Sequence, residues 1–249
     1  MRKKRACILL WILFAVLLAA RILVQMSYWI LLAAESCGLS FVLLRESGMP
    51  SGKYVRLSWL FALLSTCAYL GYQRDPWILL YGLRAGIPTL LSSLAVFSVM
   101  EKHEEYELVS GKGKHPVLTS ILIAVAAGLF LAGINLLLAG EEIRFAFDPW
   151  YLFLSLNPAI YEEMACRSVF MAFCAGYSDE EMDLFEKFTM YFMMCVPHTV
   201  IHGYPLTETI ILCVLFGLPF TLMQRKRDIM TAMISHGIVD ALRFLLIGM

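Results

Sequence analysis

The sequence predicts an all-α bundle of membrane-spanning helices, and its composition and the spacing of its apolar runs lead to that prediction. Hydrophobic residues make up 60% of the 249 residues and charged residues 16%, against about half and about a quarter in a soluble domain. Mean hydropathy is +0.72. The apolar residues fall in runs of about 20, the length with which a helix crosses the hydrocarbon core. The alternation typical of a membrane β-strand is absent, so helices are expected throughout.

Eight apolar segments are candidates to cross the bilayer, with short polar connections between them. They cover residues 7–34, 55–72, 77–100, 117–139, 149–176, 185–203, 207–223 and 229–247. We therefore expect an integral, multi-pass membrane protein of about eight spans, in contact with lipid on its outer surface. The compact size and the short loops fit a bacterial inner-membrane protein.

The orientation in the membrane stays open at this point. Arg2 to Arg5 favour a cytoplasmic start, because Lys and Arg concentrate on the cytoplasmic side. Eight crossings from that start put the basic loop Arg225 to Arg227 outside, against the same tendency. Two crossings within residues 7–45, for which Arg21 and the Ser36-Cys37-Gly38 break leave room, would return that loop to the cytoplasm.

Charge and motif content separate the chain into two parts of one membrane domain. The formal net charge is zero and no basic domain is present, so we expect no nucleic acid partner. Residues 1–140 contain no interpretable motif and are predicted to be scaffold helices. Residues 149–249 contain all the polar sets described next and are predicted to form the functional core.

The first polar set is Glu162, Glu163 and Arg167. Ionisable groups at membrane depth are costly and usually mark function. Glu163 and Arg167 lie four residues apart and face each other on a helix, so an ion pair would keep Glu163 ionised and make it a poor base. Glu162 points about 100° away and lacks that partner. The spacing predicts that Arg167 and Glu163 organise a site and Glu162 handles the proton; two carboxylates at the membrane interface are the structural alternative.

The second and third polar sets are pairs with the same spacing, and each contains at least one histidine. His198 and His202 share a helix face, which suits metal binding, although the glutamate of an HExxH motif is missing; histidines bonded to backbone are the alternative. His236 and Asp240 also share a face. Asp240 could orient the His236 ring for donation to an oxyanion, or the two could only tie helices together.

These three motifs, in this order on successive apolar segments, resemble the CPBP intramembrane proteases, also called the CAAX protease and bacteriocin-processing, Rce1-like or ABI-type family. The resemblance covers about Pro158 to Leu245. The second family motif, FxxxH, corresponds to Met194 and His198 here; the alternative register makes His202 the motif histidine. Asp240 stands where many members carry asparagine.

The resemblance implies an endopeptidase in which Glu162 with His198 activates a water and His236 with Asp240 supports the oxyanion. Its substrate would be a membrane-associated or lipidated peptide or protein. Such enzymes have been argued to need a metal and to need none. If a metal binds, zinc with Glu162, His198, His202 or His236 is the candidate, but our expectation is a metal-free site.

Two other kinds of protein would place similar residues in membrane helices. A non-catalytic scaffold, such as a bacteriocin self-immunity protein, would retain the protease fold without its chemistry. A transporter or proton relay would also bring carboxylates and histidines together, but the inverted repeat expected of many transporters is not seen.

Overall fold

The computed structural model describes residues 2–23, 28–70, 77–103, 106–145, 147–177 and 181–248, and every regular element in these ranges is helical. The predicted all-α bundle is confirmed. The α-helices are α1 (Arg2–Leu23), α2 (Tyr28–Ser47), α3 (Gly52–Cys67), α4 (Ile78–Met100), α5 (Pro116–Ala139), α6 (Pro149–Leu154), α7 (Val169–Gly176), α8 (Leu184–Val200), α9 (Leu206–Leu212), α10 (Leu218–Lys226) and α11 (Ile229–Ile247). Three π-helical turns interrupt them: π1 (Pro158–Glu162), π2 (Met164–Ser168) and π3 (Cys213–Gly217).

The first predicted segment, residues 7–34, is divided between two helices. α1 ends at Leu23 and α2 begins at Tyr28, whose hydroxyl donates to the carbonyl of Arg21 at 2.8 Å. The Ser36-Cys37-Gly38 sequence lies inside the unbroken α2, so the expected break there is wrong. The alternative of two crossings within residues 7–45 agrees with this structure.

Nine helical runs alternate in direction through the described part of the chain. Six of them are long and apolar enough to span a membrane by themselves. We call the end of the bundle where α1 begins the proximal face and the other end the distal face. The described connections at the proximal face are residues 48–51, 101–103, 106–115, 181–183 and 227–228, and those at the distal face are residues 140–145, 147–148 and 201–205.

Hydrogen bonds within each face support this division. At the proximal face, the Ser51 amide donates to Glu101 at 2.7 Å and the Ile229 amide to the Glu107 carbonyl at 3.1 Å. At the distal face, the Arg144 amide donates to the Leu246 carbonyl at 2.7 Å. The connections at each end are therefore tied to one another across the bundle.

The run from residue 149 to 176 lies at the centre of the bundle. Its second half is buried without interruption from Ala159 to Ala175. Small side chains let the neighbouring helices approach closely, as is usual between membrane helices: Ser36 of α2 donates to the carbonyl of Ala165, and the hydroxyls of Ser40 and Ser92 lie 3.2 Å apart. Large apolar side chains on α1 and α5 are exposed, as expected for an integral membrane protein facing lipid.

Candidate active site

Glu163 lies at the centre of the polar cluster and is completely buried. Its Oε1 accepts from Nη1 of Arg167, with which it forms an ion pair, and from Nδ1 of His236 at 2.6 Å. Its Oε2 accepts from Nε2 of Gln224 at 2.6 Å. Both carboxylate oxygens are therefore occupied by donors, and Glu163 holds three side chains from three helical segments in place.

Arg167 determines which nitrogen of His198 carries a proton. Its Nη2 lies 2.9 Å from Nδ1 of His198. A guanidinium can only donate hydrogen bonds, so Nδ1 of His198 accepts, and the neutral ring carries its hydrogen on Nε2. That Nε2 lies in close polar contact with Oε2 of Glu162, 2.6 Å away, and has no hydrogen-bond partner among the described atoms.

His236 has the opposite hydrogen-bond pattern from His198, because its Nδ1 donates and does not accept. Its Nδ1 donates to the ionised Glu163, so its Nε2 is left to face the cavity, 3.4 Å from Oδ2 of Asp240 and 3.7 Å from Oε2 of Glu162. Phe220 stacks on the ring with centroids 4.5 Å apart. The sequence suggests that Asp240 orients this ring. In the structure, the ring is held by the hydrogen bond that it donates to Glu163.

Glu162 and both histidines border a cavity of about 400 Å³. Arg167, Phe220 and His236 form its inner end, and residues such as Asn135, His202, Tyr204 and Arg243 line it towards the distal face. Arg243 donates to Asn135 at 3.4 Å. The cavity therefore opens at the end of the bundle where α8 ends and α9 begins.

A second cavity, of about 240 Å³, lies on the other side of Glu162. Trp29, Tyr69 and Arg84 line it together with Asn157 and Glu162. Trp29 also packs edge-on against the His198 ring, with centroids 5.7 Å apart. Residues from the first 140 positions, predicted as scaffold, thus form part of the wall around Glu162.

Sequence reasoning missed Gln224. It donates to the carboxylate and to the carbonyl of Glu163, and it accepts from the Ser168 hydroxyl at 3.1 Å. In the sequence it directly precedes Arg225 and so looks like part of a polar loop. The single available signal was its position at the end of an apolar segment, where a buried amide needs hydrogen-bond partners.

The candidate metal ligands are Glu162, His198 and His202, whose ligand atoms lie within 4.8 Å of one another. A metal-bound histidine normally donates its other ring N–H to an acceptor, whereas the other nitrogen of His198 faces the donor Arg167. His202 is exposed, and its ring packs against those of Trp29 and Tyr204. The surroundings of His198 therefore do not fit a metal ligand. His236, the fourth candidate from the sequence, donates Nδ1–H to Glu163 and turns Nε2 to the cavity, so the metal-free site stays a prediction.

One family model matches the part of the chain that contains this cluster. Residues 144–242 match the family model described as type II CAAX prenyl endopeptidase Rce1-like. The resemblance is confirmed over this segment. The Rce1-like segment contains every candidate residue from Glu162 to Asp240, and at the level of the family it supports a CAAX-type intramembrane endopeptidase, which is a hydrolase. No curated protein and no solved structure matches the chain.

Proposed function

We propose that this protein hydrolyses a peptide bond in a membrane-associated or lipidated peptide or protein, with Glu162 as the general base. One observation carries the proposal: Oε2 of Glu162 lies 2.6 Å and 3.7 Å from the Nε2 atoms of two histidines, in one cavity. The adjacent Glu163 is saturated by donors, so Glu162 is the carboxylate that remains available for proton transfer.

The attacking water would lie in the cavity beside Glu162 and His198, within reach of both Oε2 and Nε2, since these two atoms are only 2.6 Å apart. Because Nε2 of His198 carries a hydrogen and has no hydrogen-bond partner among the described atoms, it can donate to the water oxygen. Glu162 takes a proton from the water as the oxygen adds to the carbonyl carbon of the substrate. When the C–N bond breaks, Glu162 returns that proton to the leaving amine, so the carboxylate is restored.

His236 would stabilise the oxyanion formed by this addition. A protonated His236 presents an N–H at Nε2 to the same cavity, and it lies between the carboxylates of Glu163 and Asp240, which stabilise the charged ring. A donor aimed at developing negative charge is worth about 10²-fold or more in rate. This role agrees with the one that the family resemblance implies.

A cleavage assay with the full chain in native membranes tests the proposal. Farnesylated peptides, leader peptides and tails of membrane proteins are offered, and products are identified by mass spectrometry. We expect Glu162→Gln to lower the rate by about 10²-fold or more, while Glu142→Gln, a change at an exposed loop residue, leaves it unchanged.

Equal expression and equal thermal stability of both variants must be shown alongside. Glutamine retains the size of Glu162 and its ability to contact His198, so loss of fold is not expected. If Glu162→Gln cleaves the same substrate at the wild-type rate, the peptidase proposal fails, and the non-catalytic scaffold or self-immunity protein takes its place.

A further inference from the structure

We propose that the Glu162 cavity opens on the non-cytoplasmic side of the membrane, so that its substrates are polypeptide segments exposed there. The statement about substrates rests on the proposed peptidase function; the statement about the face does not. Two independent features lead to it: the end of the bundle at which the cavity opens, and the distribution of basic residues between the two ends.

The lining of the cavity identifies its open end. His202 and Tyr204 belong to the distal connection between α8 and α9, and Phe244 lies in the last turn of α11, next to that face. The side chain of Arg21, at the distal end of α1, donates to the carbonyls of Val200 and Tyr204 at 2.9 and 2.7 Å. No residue of the proximal connections lines this cavity in the described part of the chain.

The basic residues concentrate at the proximal face, which by the positive-inside rule is the cytoplasmic one. Those at or near the proximal face are Arg2, Lys3, Lys4, Arg5, Arg45, Lys53, Arg56, Lys102, Lys112, Lys114, Lys187, Arg225, Lys226 and Arg227. Those nearer the distal face are Arg21, Arg84, Arg144 and Arg243. Arg74 lies outside the described residues.

The basic residues near the distal face do not offset the excess of basic residues at the proximal face. Arg21, Arg84 and Arg243 lie within helices and have structural partners: Arg21 bonds the end of α8, Arg84 lies over the Tyr81 ring, and Arg243 bonds Asn135. Arg144 is the single basic residue in the connection between α5 and α6. The proximal connections after α4 and α10 together contain more basic residues than this distal connection. The excess of basic residues at the proximal face therefore does not depend on Arg2 to Arg5.

The alternation of nine helical runs is what brings Arg225 to Arg227 to the same end as the start of α1. The orientation conflict that eight crossings create in the sequence therefore disappears. The expected substrate is therefore a segment that has already left the cytoplasm. Examples are the leader or tail of an exported peptide and a chain lipidated on the outer leaflet. A cytoplasmic prenylated tail would meet the basic face, at the end opposite the cavity.

Cysteine labelling of the full chain in cells tests the face directly. Glu142→Cys adds a thiol to an exposed distal loop and Lys114→Cys adds one to an exposed proximal loop. With a membrane-impermeant maleimide, we expect Glu142→Cys to be labelled equally in intact and lysed cells, and Lys114→Cys to be labelled in lysed cells alone. The unmodified chain, with its seven native cysteines, gives the background. The reverse pattern overturns the inference.

The peptide panel then separates this inference from the proposed function. Added to spheroplasts, which expose the non-cytoplasmic face, the panel should be cleaved, and added to inverted vesicles it should not. Cleavage by inverted vesicles alone overturns the statement about substrates. Cleavage that survives Glu162→Gln overturns the peptidase proposal, while the labelling pattern still decides the face.

Discussion

Gly128 is the position at which the packing of α5 determines where α11, the helix of His236, can lie. A Cβ atom added at Gly128 would lie 2.9 Å from Cβ of Ile238 and 3.0 Å from the carbonyl oxygen of Ser235. Ordinary contact begins near 3.4 Å, so Gly128→Ala requires α11 to move by about half an ångström. Gly133, on the same helix, has nothing within 4 Å of the corresponding atom and provides a matched control.

We expect Gly128→Ala to lower stability and activity together. Overpacking costs about 1–3 kcal/mol, and the better helix propensity of alanine offsets up to about 1 kcal/mol of that, so a net loss of about 1–2 kcal/mol remains. For a chain of this size, each kcal/mol corresponds to a fall in Tm of about 2–4 °C. A displacement of about half an ångström at His236 should lower the cleavage rate by about tenfold.

Thermal unfolding in detergent and the cleavage assay measure both effects. Gly133→Ala should unfold at the wild-type temperature or slightly above it and cleave at the wild-type rate, because its methyl group meets open space. If the two variants unfold at the same temperature, the close crossing of α5 and α11 is not what holds α11 in position, and the reasoning is refuted.

Three further outcomes follow from the contacts around the site. Gln224→Ala removes a donor to Glu163 and should lower kcat about tenfold with little change in KM; Leu222→Ala, at a half-exposed position on the same helix, should change neither. Extended treatment with a chelator should leave cleavage unchanged, and His202→Ala should retain most activity, whereas a zinc enzyme would lose it in both tests. Asp228→Ala removes the carboxylate that accepts from the amide and hydroxyl of Thr231 and should cost about 2 kcal/mol, measured by thermal unfolding; an unchanged Tm would contradict this.

Helical periodicity was sufficient to predict contacts within a single helix. Glu163 and Arg167 pair because side chains four residues apart share a helix face, and that information is local. The same spacing argument does not show which of His198 and His202 belongs to the site. What separates them is a neighbouring segment: Arg167 bonds His198, while His202 lies one turn further towards the distal face.

The contacts that sequence could not predict all depend on neighbouring helices or on altered helix geometry. Gln224 reaches Glu163 because α10 packs beside the central run, and Trp29 reaches His198 because α2 begins at the distal face. The two π-helical turns around Glu163 also change the angles that an ideal helix assigns to its side chains. Such turns are frequent at functional sites, but no spacing rule applied to a sequence reveals them.

The buried ion pair between Arg167 and Glu163 is better understood through the two histidines than through stability, since a buried ion pair is weak evidence for stability. Its positive end donates to Nδ1 of His198, and its negative end accepts from Nδ1 of His236. The contact with Arg167 therefore leaves an N–H at Nε2 of the neutral His198, whereas His236 presents an N–H at Nε2 when it is protonated, a form that its contact with Glu163 stabilises. In the proposed mechanism, one ion pair thus gives two chemically identical side chains different roles, which a lone glutamate in place of EExxxR would not do.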